Sequence, residues 1–176
     1  MASTTWTLDP THSELQFKVK HLMITTVTGS ISIFNSSLTS ESDDFQDAEI
    51  TFEADTNSVK TGNADRDTHL IGADFFDSET YPKISFKSTS FKKDGDDYVL
   101  AGDLTVKGNT KPVKLNVEFG GIATDPWGNT KAGFTLTGKI NRSEYGLTWN
   151  AALETGGVMV SEEVKLTAEL QFVKQA

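Results

Sequence analysis

The feature that most constrains this chain is an alternation of apolar and polar residues with a period of two. Leu15, Phe17 and Val19 alternate with Glu14, Gln16, Lys18 and Lys20. Ala48, Ile50, Phe52 and Ala54 alternate with Glu49, Thr51, Glu53 and Asp55. The pattern recurs at Ile31 and Ile33, at Ile84 and Phe86, at Leu104 and Val106, and through Val113, Leu115, Val117 and Phe119. Phe134, Leu136 and Ile140 continue it, and Val164, Leu166, Ala168, Leu170 and Phe172 close the chain. Successive side chains of a strand point to opposite faces, so each run reads as a strand with one apolar face. Twenty-three threonines suit the same pleated surface. The expectation is about eight strands.

The punctuation between them fits hairpins. "KDGDD" at 93–97 and "KGNTKP" at 107–112 are turn-rich, and "TDPWGN" at 124–129 is a longer loop. Strands joined by short turns must be antiparallel. Such a run hides its apolar faces by closing into a barrel or by folding into two sheets, and alternation leaves both open. No repeat, linker or low-complexity tract interrupts it, so residues 1–176 read as a single domain.

One segment breaks the period, "NADRDTHLIGADFF" at 63–76. Asn63 is an acceptable N-cap, Asp65 and Asp67 suit the positive end of a helix, and Gly72 can end it. The spacing predicts a short helix over about 64–71, with Arg66, His69 and Leu70 on neighbouring turns of one side. A further turn is expected around Ser143 to Tyr145.

Charge narrows the partners. The formal net charge is −9, and an acidic surface repels nucleic-acid phosphates and anionic headgroups. Nucleic acid is therefore not an expected partner. The chain has no cysteine, which removes disulfides, thiolate zinc sites and cysteine nucleophiles. "MASTTWTLD" has neither a basic n-region nor an apolar h-region, and no run of about 18 apolar residues is present, so no integral membrane contact is expected. The expected location is the cytoplasm, with the periplasm as the alternative if a leader has been removed.

The P-loop, the dinucleotide fingerprint, the HExxH helix and the GxSxG elbow are all absent. His12 and His21 are an odd number of residues apart and would face opposite ways on a continuous strand, so no metal site is expected. His21 shares the parity of Phe17 and Val19 and should face the interior, as a satisfied core histidine or as a polar contact for a ligand. Asp67 and His69 are suitable acid–base types, yet no nucleophile or oxyanion arrangement accompanies them, so no catalytic residues are assigned. There are 14 lysines and only two arginines, Arg66 and Arg142. A planar guanidinium is the better choice where a carboxylate or several carbonyls must be bonded under partial burial. Both arginines are read as latches of irregular segments at the barrel ends, with an anionic headgroup as the alternative partner.

"TWTLDPTHSELQFKVKHL" at 5–22, "VKTGNADRDTHLIGADFFDSETYPKISFKSTSF" at 59–91, "GDLTVKGNTKPVKL" at 102–115 and "INRSEYGL" at 140–147 together resemble the YceI-like family of lipid-binding proteins. The resemblance implies an all-β fold, an extended antiparallel eight-stranded lipocalin-like barrel with a short helical segment near one opening. It implies a long apolar ligand, a polyisoprenoid, an isoprenoid quinone or a fatty-acid derivative, held without catalysis for transport or storage. It also implies a homodimer and no other cofactor.

On this reading the interior wall comprises Phe17, Val19, His21, Ile31 and Ile33, then Ile50, Phe52, Ile84, Phe86, Leu104 and Val106, and finally Leu115, Val117, Phe134, Leu136, Leu166 and Phe172. Residues 63–76 would form a flap, with Leu70, Phe75 and Phe76 facing the chamber. Arg66, Asp67, His69 and Arg142 would anchor it or meet a headgroup. Strands of nine or ten residues span on the order of 30 Å. Each buried methylene contributes about 0.8 kcal/mol, so twenty carbons approach roughly 16 kcal/mol before ordering costs. Two other classes remain open: an enzyme acting on an isoprenoid lipid through His21 or His69, and a stress-related structural protein with a filled core.

Overall fold

The computed structural model describes residues 3–22, 24–41, 45, 48–147 and 160–175. Among these, eleven strands form one antiparallel sheet. They are β1 (Thr4–Leu8), β2 (Glu14–His21), β3 (Thr25–Ile31), β4 (Phe34–Ser40), β5 (Glu49–Asp55), β6 (Val59–Lys60), β7 (Lys83–Asp94), β8 (Asp97–Val106), β9 (Asn109–Thr124), β10 (Thr130–Asn141) and β11 (Glu163–Lys174). Eight of them close into a barrel in the order β1-β4-β5-β7-β8-β9-β10-β11, and β11 returns to β1 through Phe172 opposite Leu8.

The other three form an extension. β11 pairs with β1 over its last residues and with β2 over Lys165 to Glu169; β3 then pairs with β2, and β6 with Ser30 and Ile31 of β3. β1 and β2 are two parts of one broken strand. The break is a 3₁₀ turn at Pro10–His12, where proline has no N–H to give the ladder. Asp9 fixes it by accepting from Thr11 N at 3.0 Å and Thr11 Oγ1 at 2.6 Å, and from Lys131 Nζ at 3.1 Å. These bonds, the Thr11 hydroxyl first, hold the Asp9 carboxyl well below the usual carboxylate range.

The companion break between β3 and β4 corrects one expectation. Ile33 was expected to share the inner face with Ile31, but it is 57% exposed while Ile31 is buried. Residues 32–33 leave the ladder, with Ile33 N bonded to Ser58 Oγ and Asp55 N to Ile33 O. One extra residue reverses which parity points inward. Ile31 is inward before the break; Ser36, Leu38 and Ser40 are buried after it. Two register shifts, at Ser88/Ser90 and at Gly133/Phe134, act alike on the long strands and add the bend that closure requires.

The helix α1 spans Ala64–Ile71, with Asn63 Oδ1 accepting from Arg66 N at 3.1 Å and Gly72 N bonding His69 O at 3.2 Å. The expected later turn is a 3₁₀ turn at Arg142–Tyr145, ended by Gly146 in the left-handed conformation. At the tip of β8–β9, Lys107 and Gly108 both take positive φ, the geometry of a two-residue hairpin turn. No helix among the described residues is long and apolar enough to cross a membrane.

Candidate ligand-binding site

Two adjoining apolar cavities run along the barrel. The inner one, about 110 Å³, is walled by Leu38, Ile50, Phe86, Leu115, Val117, Phe134, Leu136 and Phe172 among others. The outer one, about 270 Å³, is walled by Phe17, Val19, Ile31, Ile84, Val106 and the helix segment. Leu15, Phe52, Leu104 and Leu166 line both and form the neck between them. Beyond the inner cavity the barrel is shut by rings. Phe45 is fully buried, edge-on to Trp6, Phe119 and Phe134 at centroid distances of 5.3, 5.4 and 5.2 Å. A cavity of this lining is dry, and apolar guests enter such space readily.

The opposite end carries the polar groups. Leu70, Phe75 and Phe76 lie over the outer cavity, so the helix presents its apolar side inward. Its polar side is tied to Thr61. The Thr61 hydroxyl accepts from Arg66 Nε at 2.7 Å and donates to Asp67 Oδ1 at 2.6 Å, while the Thr61 carbonyl accepts from Arg66 Nη2 at 2.7 Å. His69 Nε2 meets Asp74 Oδ2 at 3.0 Å, and its ring stands edge-on to Phe75. Arg66 and His69 reach the cavity wall; Asp67 does not and serves as a tie.

Arg142 is buried, only 4% exposed. Its guanidinium donates to Ser161 O at 2.9 Å, Leu147 O at 2.7 Å and Val160 O at 3.3 Å. It thus gathers the 3₁₀ turn and the start of β11 at the outer cavity. Burial lowers its proton affinity below arginine's ordinary value and the nearby Glu162 charge opposes that, so the cation persists. His21 also lines this cavity, and among the described residues its imidazole makes no hydrogen bond. His12 lies elsewhere, beside Asp9. No group of three metal-ligating side chains occurs among the described residues.

Nineteen of the twenty side chains expected to face the interior line one cavity or the other, and Ile33 does not. Several wall and plug residues carried no clear signal. Phe45 sits in an acidic stretch of sequence, "ESDDFQD", where nothing marks it as a plug, and Trp6 lies on a five-residue strand too short to stand out. Thr61 is an ordinary threonine until Arg66 and Asp67 converge on it.

The profile of the YceI-like domain matches residues 6–172. The chain belongs to the YceI-like family. A UPF0312 protein of Staphylococcus aureus strain USA300 is 40% identical over 172 residues, covering 96% of this chain and 97% of that protein. Among solved structures, Burkholderia cenocepacia BcnA superposes with a TM-score of 0.79 at 22% identity, covering 93% of this chain and 98% of BcnA. A polyisoprenoid binding domain from Saccharophagus degradans, implicated in plant cell wall breakdown, superposes with a TM-score of 0.67 at 19% identity, covering 97% and 98%. These two likenesses show that the barrel fold is shared.

Proposed function

We propose that the protein binds one long-chain apolar molecule, a polyisoprenoid, an isoprenoid quinone or a fatty-acid derivative, and carries or stores it unchanged. The observation that carries this reading is the pair of apolar cavities joined at Leu15, Phe52, Leu104 and Leu166. A chain can thread the neck toward the aromatic plug while its polar end stays by Arg66, His69, His21 and Arg142. Affinity then comes from apolar burial, and the cations and imidazoles orient the head. The polyisoprenoid-binding description of the S. degradans domain supports the ligand class. A homodimer is part of the same reading.

Native mass spectrometry with organic extraction of freshly purified protein tests it. The expected result is one apolar molecule per chain, recovered unaltered from wild type, His21→Ala and His69→Ala alike. Extracts empty of long-chain molecules, with a native mass equal to the bare chain, overturn it. Conversion of the bound molecule by wild type alone points instead to an enzyme. Light scattering at several protein concentrations tests the dimer.

A further inference from the structure

The net charge of −9 hides a strong segregation. The chain holds 25 acidic residues, yet none lies between Leu15 and Ser40, nor between Thr56 and Ala64. Those two stretches supply nearly all of the β2–β3–β6 extension that walls one side of the outer cavity. Their inward side is Phe17, Val19, Val27 and Ile31. Their outward side carries Lys18 opposite Thr28, Lys20 opposite Thr26, and Lys60 opposite Ser30; Lys20 is exposed and also borders the rim of the outer cavity. Lys18 also faces Lys165, which faces Lys139, so three lysines stand in a row across β2, β11 and β10. Glu163 meets Lys139 at 3.9 Å, whereas Lys18, Lys20 and Lys60 have no ion pair among the described residues. Like charges opposed across a ladder are unfavourable, so folding gives no reason for this row.

The tip of the extension is apolar. Leu22 and Ile24 stand there. Leu22 has φ of 53°, a position at which hairpins ordinarily use glycine or asparagine. Ile24 is 77% exposed. The tip adjoins the mouth, because His21 lines the outer cavity. Apolar groups at the end of a cationic hairpin match the two layers of a bilayer surface, anionic headgroups above an acyl boundary.

We propose that the β2–β3 hairpin docks the protein on an anionic lipid bilayer, Leu22 and Ile24 entering the acyl boundary and Lys18, Lys20 and Lys60 meeting the headgroups. The need for such docking rests on the lipid-binding reading above, since a long apolar chain is scarce as a monomer in water. With the hairpin seated, the cavity mouth opens toward the leaflet that holds the ligand.

The test is sedimentation of the full chain with vesicles of phosphatidylcholine alone or mixed with phosphatidylglycerol, neither containing isoprenoid. The expected result is association with the anionic vesicles only, weakening as salt rises from about 0.01 M to about 1 M and the Debye length falls from about 30 Å to about 3 Å. Each lysine removed should weaken association about fivefold, so the Lys18→Gln/Lys20→Gln protein should lose about 25-fold. Ile24→Ser should lower it at every salt concentration, and Ile33→Ser, exposed but away from the tip, should not.

Absence of association with anionic vesicles at low salt overturns the proposal, as does equal association of wild type and the lysine variant. Conversion of a dimer to a monomer by Ile24→Ser, without vesicle binding by wild type, assigns the tip to a second copy and also overturns it. Ile24→Ser and the wild-type salt titration decide the matter if the lysine variant fails to fold. Organic extracts of the same preparations report separately on the ligand, so bound lipid without docking defeats this inference alone.

Discussion

Phe17 and Gly29 are paired directly across β2 and β3, and the phenyl ring lies over the glycine's α-carbon, where a β-carbon would overlap ring atom Cζ. The ring is also part of the outer cavity wall. A side chain at 29 must therefore push Phe17 into the space proposed for ligand. Gly29→Val should lower stability by about 1–3 kcal/mol in chemical denaturation, the usual cost of overpacking, and reduce the lipid recovered on extraction. A variant equal to wild type in both measurements contradicts this account of the wall.

Phe45 closes the inner end and touches three other rings. Phe45→Ala should cost about 3–5 kcal/mol, as removal of a buried phenyl commonly does. It should also deepen the inner cavity. Mass spectrometry of extracts should show bound chains shifted toward greater length, and an unchanged distribution would mean the tail never reaches the plug.

Leu166 lies at the neck between the cavities. Leu166→Trp should separate them and leave a folded protein that retains only short-chain molecules. If long chains persist in its extracts, the two cavities do not act as one site.

Arg142 satisfies three backbone carbonyls from a buried position. Arg142→Met should destabilise the fold by about 3–5 kcal/mol, since it strands acceptors away from water. Arg142→Lys should recover little, because an ammonium lacks the planar fork. Should Arg142→Met instead keep wild-type stability and lose only ligands with an anionic head, its role is recognition and not latching.

Asp9 has a folded-state proton affinity below the ordinary value, with the Thr11 hydroxyl bond as its largest cause. Its contribution to stability is therefore complete above the ordinary value, about 3.8, and is lost as pH falls below it toward the depressed one. Thermal unfolding of wild type and Asp9→Asn should differ most near neutral pH and converge as pH drops below that value. A gap independent of pH would show that the 3₁₀ turn does not depend on the Asp9 charge.

The strand faces were legible in the sequence because parity is rigid within a continuous strand, which is why Phe17, Ile50, Phe86, Leu115, Phe134 and Phe172 all reach a cavity. The helix was legible from Asn63 and Gly72, whose roles are local. Ile33 was misread because a break at residues 32–33 leaves no compositional mark and resets parity. Hollowness was not legible either. It depends on where inward positions are glycines, as at Gly29, Gly102 and Gly138, each overlaid by a neighbouring Phe or Leu side chain. Alternation treats those positions as gaps in the pattern, although they set how far each large side chain can lie back against the wall.

The far edge of β3 has consequences for how the molecule admits anything at all. Apart from the rungs that Ser30 and Ile31 make with β6, the edge of β3 away from β2 meets no further strand among the described residues. Moving the Thr25 to Gly29 part of β3 outward breaks no rung on that edge and costs mainly apolar contacts such as those of Val27 at the cavity wall. Amide exchange should accordingly run fast along Thr25 to Gly29 and slowly along β10 and β11, marking the β3 edge beside the mouth as the part of the wall that yields when a chain enters.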